Sequence, residues 1–296
     1  MPELPEVETI ARGLRAALPG RRILGVRLGK TDFIDDPVAI EERIPGARIV
    51  AVRRYGKFLL LDLESSNGTA HHFSLLIHLG MTGRLVACDP AAPVPRHTHV
   101  FFALDDGREL RYTDVRRFGR MGILPRGSRE KSLRSLGLDP LEASEEQFVA
   151  VLKDRRARIK ALLLDQHVLR GIGNIYADES LWRARIHPAR LGANLSAKEL
   201  HRLHRALRDV LNEAIRLRGS SIADYVDSEG NLGGFQRRHR VYQRHGKRCS
   251  RCGTVICRTI VAGRGSHFCP RCQPAPRSRS SGRQGYSADR RAGAGM

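Results

Sequence analysis

The sequence predicts an α+β protein with an N-terminal β-sandwich or barrel, a helical middle region and a C-terminal four-cysteine segment. Three observations support this class. Up to about residue 130, most apolar and β-branched residues occur in short runs bounded by Gly, Asn and Asp turns. From about residue 132 the apolar spacing becomes helical. Two C-x-x-C pairs then follow near the C-terminus.

The N-terminal region begins with one predicted helix and continues as strands. The helix covers about Val7–Leu18, and turn residues such as Asp105-Asp106-Gly107 separate later apolar runs. Strands are predicted over Ile49–Glu64, Phe73–Val86 and Val100–Leu104.

The middle region is predicted to contain one long amphipathic helix and two shorter ones. Apolar residues recur at three- and four-residue spacing between Leu200 and Ile215, which gives the helix one buried stripe. Ser196 is the expected N-cap, with Glu199 three residues later as its capping-box partner. The shorter helices are predicted over Glu145–Arg155 and Asn174–Ala184.

The charge balance indicates a polyanionic partner. The 296 residues include 52 Lys and Arg against 31 Asp and Glu, a formal net charge of +21. Nucleic acid is the leading partner, because the sequence has no apolar run long enough to span a membrane and no strongly amphipathic cationic helix typical of membrane surfaces. Glu3, Glu6 and Glu8 stand where a signal peptide would need cationic and apolar residues, so we expect a cytoplasmic protein.

The C-terminal part is basic throughout. Residues 233–274 contain ten Lys or Arg and no Asp or Glu, and a segment of one sign repels itself unless an anion binds it. Residues 275–296 have almost no apolar content and are predicted to be a disordered basic tail. Its arginines either add non-specific DNA affinity or belong to a dispensable extension.

Four cysteines predict a structural zinc site. Cys249 and Cys252 are separated by sixteen residues from Cys269 and Cys272, and four thiolates from two tight turns complete a tetrahedral shell around one Zn²⁺. A redox role for a C-x-x-C pair is the alternative, but two pairs in an arginine-rich segment without a βαβ pattern favour zinc. Cys88 and Cys257 are interpreted as ordinary thiols.

The N-terminus suggests a nucleophile. Removal of Met1 would leave Pro2 with a secondary α-amine, and an α-amine has a reference pKa of about 7.7 to 8.0. Attack on an anomeric carbon would give a cationic iminium, an electron sink for elimination of neighbouring phosphates, with Glu3 as general acid and base. The alternative is an ordinary helix start, for which acidic residues and proline are common.

Three further motifs have both a functional and a structural interpretation. Gly171-Ile172-Gly173-Asn174 precedes a helix and could hold a phosphate, although it matches neither a dinucleotide fingerprint nor a P-loop. Met81, Arg116 and Phe118 could enter a base stack when a base is flipped, or could be core residues beside a surface arginine pair.

Six motifs together resemble the bacterial formamidopyrimidine-DNA glycosylases of the Fpg/Nei family. They are MPELPEVET, YGKFLLL, HLGMTGRL, DVRRFG, RGIGNIYADE and the paired cysteines ending in FCPRCQ, and they follow the expected order from residue 1 to about 274. The sequence departs from the family at Val115, where many members have proline, and at Leu138-Asp139, where Pro-Glu is more usual.

The resemblance implies an N-terminal β-sandwich, a helix-two-turn-helix region and a zinc finger. It places a catalytic domain at 1–130, the DNA-binding region at 131–232 and the finger at 233–274, followed by the 275–296 tail. A flexible loop over the flipped base is expected at 219–234. The implied partner is double-stranded DNA containing oxidised bases, and the protein is expected to be a monomer.

The resemblance also implies roles for individual residues. Pro2 matches the Schiff-base nucleophile and Glu3 the proton donor, with Glu6 as a second active-site acid. Lys57 matches a lysine for phosphate binding and β-elimination, and Arg264 an arginine for phosphate contact and δ-elimination. The residues matching those that fill the gap in the base stack are Met81, Arg116 and Phe118; those matching DNA-backbone contacts are His97, Arg155, Lys160 and Asn174.

These observations together predict a bifunctional DNA glycosylase and abasic-site lyase that removes oxidised purines such as 8-oxoguanine and formamidopyrimidines. An enzyme for oxidised pyrimidines is the nearest alternative, but Leu4 favours the purine branch because the pyrimidine branch more often has glycine there. A zinc-bearing DNA-binding protein without catalysis is the alternative from another class.

Overall fold

The computed structural model describes residues 1–65, 72–125, 133–222 and 224–276. Residues 277–296 of the predicted tail lie outside this part of the chain. Within the described residues, no helix has both the length and the apolar character required to cross a membrane.

The N-terminal half contains two helices and two four-stranded antiparallel sheets. The helices are α1 (Leu4–Ala17) and α2 (Pro37–Arg43). The first sheet has the order β1 (Ile23–Leu28), β6 (Thr98–Leu104), β7 (Glu109–Thr113) and β5 (Arg84–Cys88). The second has the order β2 (Arg48–Tyr55), β3 (Phe58–Glu64), β4 (His72–His78) and β8 (Arg120–Pro125).

The two sheets and α1 share one apolar core, so the predicted β-sandwich is confirmed. Leu61 and Ile77 from one sheet and Phe102 and Leu110 from the other belong to the same buried cluster as Ile10 of α1. Since both sheets contribute to this one cluster, an apolar face of each sheet packs against the other.

Two runs that we predicted as single strands are each divided by a turn. The run Ile49–Glu64 is a hairpin, because Gly56 takes a φ of +60° between β2 and β3. The run Phe73–Val86 contributes β4 to one sheet and β5 to the other, with Gly80 at φ +58° between them. Apolar composition does not reveal such a turn, which depends on the two glycines.

The second half begins with helices around their own core. The helices are α3 (Glu145–Leu152), α4 (Ile159–Leu164), α5 (Asn174–Arg183) and α6 (Ala197–Arg216). Ser196 caps α6 in a capping box with Glu199, as predicted. Helices α2 and α4 were not predicted. With seven and six residues, each is shorter than two helical turns, so its apolar residues do not show a helical spacing.

Helix α1 joins the two halves of the chain, because it contributes to both cores. Leu4 at the start of α1 is buried in the helical core, whereas Val7 and Ile10 of the same helix pack in the sandwich core.

The C-terminal segment forms an antiparallel hairpin of β9 (Cys257–Val261) and β10 (Arg264–Phe268). Short 3-10 turns occupy Gly192–Asn194 and Phe235–Arg238.

Candidate functional site

A cleft of about 610 Å³ lies where the sandwich, the helices and the hairpin meet. Segments that are far apart in sequence contribute to its walls: the N-terminus, the β2–β3 turn, the loop after β4, the start of α5, the segment after α6 and the β9–β10 turn. The predicted site residues among its lining are Pro2, Glu3, Glu6, Lys57, Met81, Asn174 and Arg264.

Glu3 is held at the first turn of α5. Its carboxylate accepts hydrogen bonds from the backbone N–H groups of Ile175 (3.0 Å) and Tyr176 (3.4 Å). Burial raises the pKa of Glu3, although nearby Lys57 and these backbone donors lower it. A carboxyl group with a raised pKa, adjacent to Pro2, holds its proton to a higher pH than an exposed glutamate does and can act as a proton donor.

This arrangement changes the interpretation of the glycine-rich turn. The helix N-terminus that could have held a phosphate holds the Glu3 carboxylate instead. A Cβ on Gly173 would lie 2.3 Å from Cδ of Glu3, so only glycine allows this approach. The anion at this helix end is therefore part of the protein itself.

Glu6 connects three parts of the cleft. It accepts hydrogen bonds from the backbone N–H groups of Glu3 (2.9 Å) and Ser220 (2.8 Å), and from the hydroxyl of Tyr176. Burial, reinforced by the Glu3 carboxylate, raises the pKa of Glu6 to about 7. Glu6 thus ties the segment after α6 to the N-terminus.

Lys57 and Arg264 place two cations beside these acids. Lys57 lies at the β2–β3 turn, where burial lowers its pKa and the carboxylate of Glu3 opposes that shift. The charge of exposed Arg264, at the start of β10, also lowers the pKa of Lys57, so both cations act on one region. The cleft therefore combines Pro2, which directly follows Met1, with two acids and two cations.

The three residues predicted to enter the base stack form one exposed cluster. Nη1 of Arg116 lies 3.3 Å from Sδ of Met81, and its guanidinium carbon lies 4.4 Å from the centre of the Phe118 ring. Met81 is 42% exposed and Phe118 is 56% exposed, which excludes the alternative that they are core residues. Buried Asp114 fixes the loop by accepting hydrogen bonds from the N–H groups of Gly119 and Arg116.

The predicted DNA-backbone residues have different environments. His97 is half-buried, and its carbonyl accepts a hydrogen bond from the N–H of Asp114 at 3.0 Å. Arg155 is exposed in the loop before α4. The side-chain N–H of Asn174 donates to the carbonyl of Gly265 at 3.0 Å, with Asn174 on the cleft wall.

Lys160 differs from our expectation. Its side chain is fully buried, and Nζ lies 2.6 Å from a carboxylate oxygen of Asp178 and 3.0 Å from the carbonyl of Gly265. Because its ammonium is enclosed and already bonded, Lys160 is not available to a DNA phosphate in this structure. The family resemblance matched Lys160 to a DNA-backbone contact, but it did not indicate that the carboxylate of Asp178 on α5 pairs with this lysine.

The four predicted metal ligands are brought together. One Sγ atom from each of Cys249, Cys252, Cys269 and Cys272 lies within 4.8 Å of every other. A tetrahedral zinc site with Zn–S bonds of about 2.3 Å has sulfur atoms roughly 3.8 Å apart, so these residues fit one zinc ion. All four positions of the metal would be taken by thiolates, which indicates a structural role.

The zinc cluster is attached to α5. The guanidinium of Arg251 stacks 4.0 Å from the Trp182 ring and donates to the Trp182 carbonyl at 3.1 Å. The side chain of Gln273 accepts a hydrogen bond from the N–H of Cys269 and donates to the Ile186 carbonyl. These contacts hold the cysteine segment, and with it the hairpin that carries Arg264, against the helical region.

Several residues of the site were not identified from the sequence. Tyr176 binds Glu6, Asp114 orders the stacking loop, and Asp139 pairs with buried Arg54 at 2.7 Å just before the Lys57 turn. Each acts through a partner distant in sequence, which a motif does not reveal. In the sequence, Asp114 and Tyr176 stand inside the motifs DVRRFG and RGIGNIYADE, and Asp139 stands where glutamate is more usual, but none of the three had been assigned a role.

Three family models match the chain. The formamidopyrimidine-DNA glycosylase N-terminal domain matches residues 1–121, and the H2TH domain of the same glycosylase matches residues 136–226. A zinc finger found in FPG and IleRS matches residues 246–275, which, with the cysteine cluster, confirms the predicted zinc site.

Curated relatives and solved structures agree with these models. The chain is 46% identical over 279 residues to a formamidopyrimidine-DNA glycosylase of Pelotomaculum thermopropionicum, covering 92% of this chain and 99% of the relative. A relative of the same name from Solibacter usitatus is 47% identical over 277 residues, again covering 92% and 99%.

Two complexes of Lactococcus lactis Fpg (MutM) have the same fold as this chain. The complex with Fapy-dG containing DNA has a TM-score of 0.83 at 33% identity and covers 92% of this chain and 100% of the other. The wild-type protein with DNA containing an oxidised pyrimidine has a TM-score of 0.83 at 33% identity and covers 93% and 100%.

Proposed function

The chain belongs to the formamidopyrimidine-DNA glycosylase family and is a DNA glycosylase for damaged bases, and from this premise we propose that it excises oxidised purines from duplex DNA and then cleaves the strand. The observation that carries the proposal is that Pro2 is buried in the same cleft as Glu3, Lys57 and Arg264. Removal of Met1 would convert Pro2 into a free secondary amine at that position.

Pro2 is the proposed nucleophile. Its nitrogen lone pair forms a bond to C1′ of the damaged nucleotide while the bond from C1′ to the base breaks, and the base leaves with a proton. The C1′–O4′ bond then breaks as the Pro2 nitrogen releases its proton and O4′ accepts one, which gives an iminium ion between Pro2 and C1′. Loss of a C2′ proton breaks the C3′–O3′ bond and releases the 3′ phosphate, and loss of a C4′ proton then breaks the C5′–O5′ bond and releases the 5′ phosphate.

Glu3 is the proposed proton donor in these steps. Burial raises the pKa of its carboxyl group, so that the protonated form persists closer to neutral pH than for an exposed glutamate. Its backbone donors at Ile175 and Tyr176 fix the carboxyl group beside Pro2.

Lys57 and Arg264 are the proposed phosphate ligands. Both side chains line the cleft, Lys57 from the β2–β3 turn and Arg264 from the start of β10. Their positive charges would stabilise the phosphates that leave in the two eliminations. By the family resemblance, Lys57 supports the first elimination and Arg264 the second. His97, Arg155 and Asn174 are proposed contacts to the DNA backbone.

Base flipping is assigned to the exposed cluster of Met81, Arg116 and Phe118. An extruded base leaves a gap in the stack, and an apolar side chain with a neighbouring aromatic ring can fill it. Ser220, Ile222 and Tyr225 also line the cleft and belong to the segment where the resemblance implies a loop over the flipped base.

Oxidised pyrimidines are the second candidate substrates. The similar Lactococcus lactis complex with an oxidised pyrimidine favours including them. Our preference for purines is based on Leu4. This leucine packs closely on Gly171, since a Cβ on that glycine would lie 2.8 Å from Cδ1 of Leu4.

The test is borohydride trapping on a duplex with 8-oxoguanine opposite cytosine, followed by mass spectrometry of the adducted peptide. We expect an adduct on Pro2, loss of trapping in Pro2→Gly, and loss of base release with retained DNA binding in Glu3→Gln. Glu41→Gln, an exposed acid on α2, is the control and should trap like the unchanged protein.

Two outcomes would contradict parts of the proposal. Trapping only on oxidised-pyrimidine duplexes would assign the chain to the second candidate. Intact binding with no adduct on either duplex would exclude the proline mechanism.

A further inference from the structure

Strand β10, which begins with Arg264, is held on the edge that does not pair with β9 by side chains of α4 and α5. The carbonyl of Gly265 accepts hydrogen bonds from Nζ of Lys160 (3.0 Å) and from the side-chain amide of Asn174 (3.0 Å). Two residues later, the N–H of His267 donates to Oδ2 of Asp178 at 2.9 Å. Side chains thus replace a neighbouring strand beside Arg264.

Asp178 is the centre of this arrangement. Its side chain and that of Lys160 are both 0% exposed, and Oδ1 lies 2.6 Å from Nζ. Its second oxygen accepts from the N–H of His267 and lies 3.2 Å from Nδ1 of the same histidine. One carboxylate therefore connects α4, α5 and β10, and it neutralises an ammonium that would otherwise be costly to bury.

The same helix also positions the proton donor. Helix α5 binds Glu3 through its first-turn N–H groups and binds β10 through Asp178 one turn later. Both Glu3 and the strand that begins with Arg264 are therefore held by one helix, which fixes their relative positions in the cleft. Lys160 reinforces it by bonding both Asp178 and the residue directly after Arg264.

We propose that Asp178, together with Lys160, is a positioning residue that fixes Arg264 for the second elimination. This inference rests on the proposed function, because it assigns a control of one of its steps. A displacement of about 1 Å in a catalytic group can lower a rate by about a hundredfold, so loosening β10 should affect the step that uses Arg264 most strongly.

The experiment compares products of Asp178→Asn with those of the unchanged protein on a duplex carrying an abasic site and on one carrying 8-oxoguanine. Asparagine keeps the shape of Asp178 but removes the charge that pairs with Lys160. We expect the ratio of δ- to β-elimination product to fall about tenfold or more, with base release changed much less. Zinc content should remain that of the unchanged protein.

A double-mutant cycle with Arg264→Ala separates positioning from a general structural effect. If Asp178 acts through Arg264, adding Asp178→Asn to Arg264→Ala should cause no further loss of δ-elimination. Multiplicative losses, or equal loss of base release and both eliminations in Asp178→Asn, would overturn the inference. The control is Arg183→Gln on α5, the helix that carries Asp178; it breaks an ion pair to Glu213 of α6 and should keep the product ratio.

Two further comparisons keep the test decisive. If Asp178→Asn does not fold, the pair Lys160→Met with Asp178→Leu removes both charges, which avoids an unpaired buried charge, and should give the same shift in products. A normal product ratio in Arg264→Ala would contradict the proposed role of Arg264 itself. An altered ratio in Arg264→Ala but a normal one in Asp178→Asn would contradict the positioning role alone.

Discussion

At the scale of single residues, the protonation of the buried acids is the property that environment changes most. Glu3 and Glu6 lie three positions apart near the start of α1, and both are nearly inaccessible to solvent. Each has a raised pKa because burial disfavours the carboxylate, and the charge of Glu3 raises the pKa of Glu6 further.

Glu6→Gln should change how stability depends on pH. The pKa of Glu6 rises from 4.5 to about 7 on folding, so between these values the native state binds a proton that the unfolded state has lost. This difference in proton binding stabilises the native state. Its contribution to the free energy of unfolding is fully present below pH 4.5, is lost as pH rises through 7, and amounts to about 3 kcal/mol in total.

The measurement is the free energy of unfolding in denaturant at pH 4.5, 6 and 7.5 for both proteins. Glutamine cannot ionise, so the stability of Glu6→Gln relative to the unchanged protein should improve as pH rises. A constant difference across this range would show that Glu6 does not titrate with a raised pKa.

Met81→Ala should impair base release without affecting folding. The side chain is 42% exposed and contacts Arg116, so its truncation leaves no cavity in the core. Stacking of a base on an aromatic side chain contributes about 1–3 kcal/mol, and a similar contribution from Met81 would correspond to a loss of about 5- to 150-fold in single-turnover base release on duplex DNA. Val38→Ala on α2 is the control, since Val38 is 59% exposed and does not line the cleft.

At the scale of elements, the two halves of the chain are joined by a buried ion cluster. Arg54 of β2 donates to Glu8 of α1 at 2.8 Å and to Asp139 at 2.7 Å, and its side chain is 5% exposed. Arg170 lies 3.5 Å from the same aspartate and stacks 4.1 Å from the ring of Tyr55. The turn that presents Lys57 is therefore held by contacts from both halves.

Asp139→Asn should destabilise the protein. Removing one partner from a buried pair costs about 3 to 5 kcal/mol when the other charge is left unpaired, and the retained bond to Glu8 places our expectation near 3 kcal/mol. Unfolding in denaturant measures the change. The control is Glu142→Gln, which contacts Arg170 at 3.6 Å but is 73% exposed, and should cost less than about 1 kcal/mol. Equal effects in both variants would contradict a structural role for the buried pair.

At the scale of the whole molecule, the net charge of +21 predicts strongly salt-dependent DNA binding. Residues 277–296 contain five arginines and one aspartate, a net charge of +4. We expect a chain ending at residue 276 to bind DNA more weakly at low salt.

The measurement is the affinity for undamaged duplex DNA across a range of salt concentrations. If every excess charge of the tail meets a phosphate, the slope of log K against log salt should fall in magnitude by up to about 3.6. An unchanged slope would identify the tail as a dispensable extension. Base release from the bound complex should be the same in both chains.

The sequence by itself determined the fold class, the long capped helix and the zinc cysteines, and seven of the residues that line the cleft were named from it. These features are local, because a capping box, a C-x-x-C pair or an alternating strand depends on neighbouring positions. Ordered motifs then allowed a resemblance in which Pro2, Glu3 and Lys57 could be named before their proximity was known.

Only the tertiary structure decided how those residues are partnered. Lys160 shows this most clearly, because a lysine predicted to contact DNA is buried against Asp178, eighteen positions away. Glu3 likewise occupies the helix end that a phosphate could have taken, across 172 positions of sequence. Burial and long-range hydrogen bonds arise only when the two halves pack together, and they set the charge and orientation of the groups that the motifs supply.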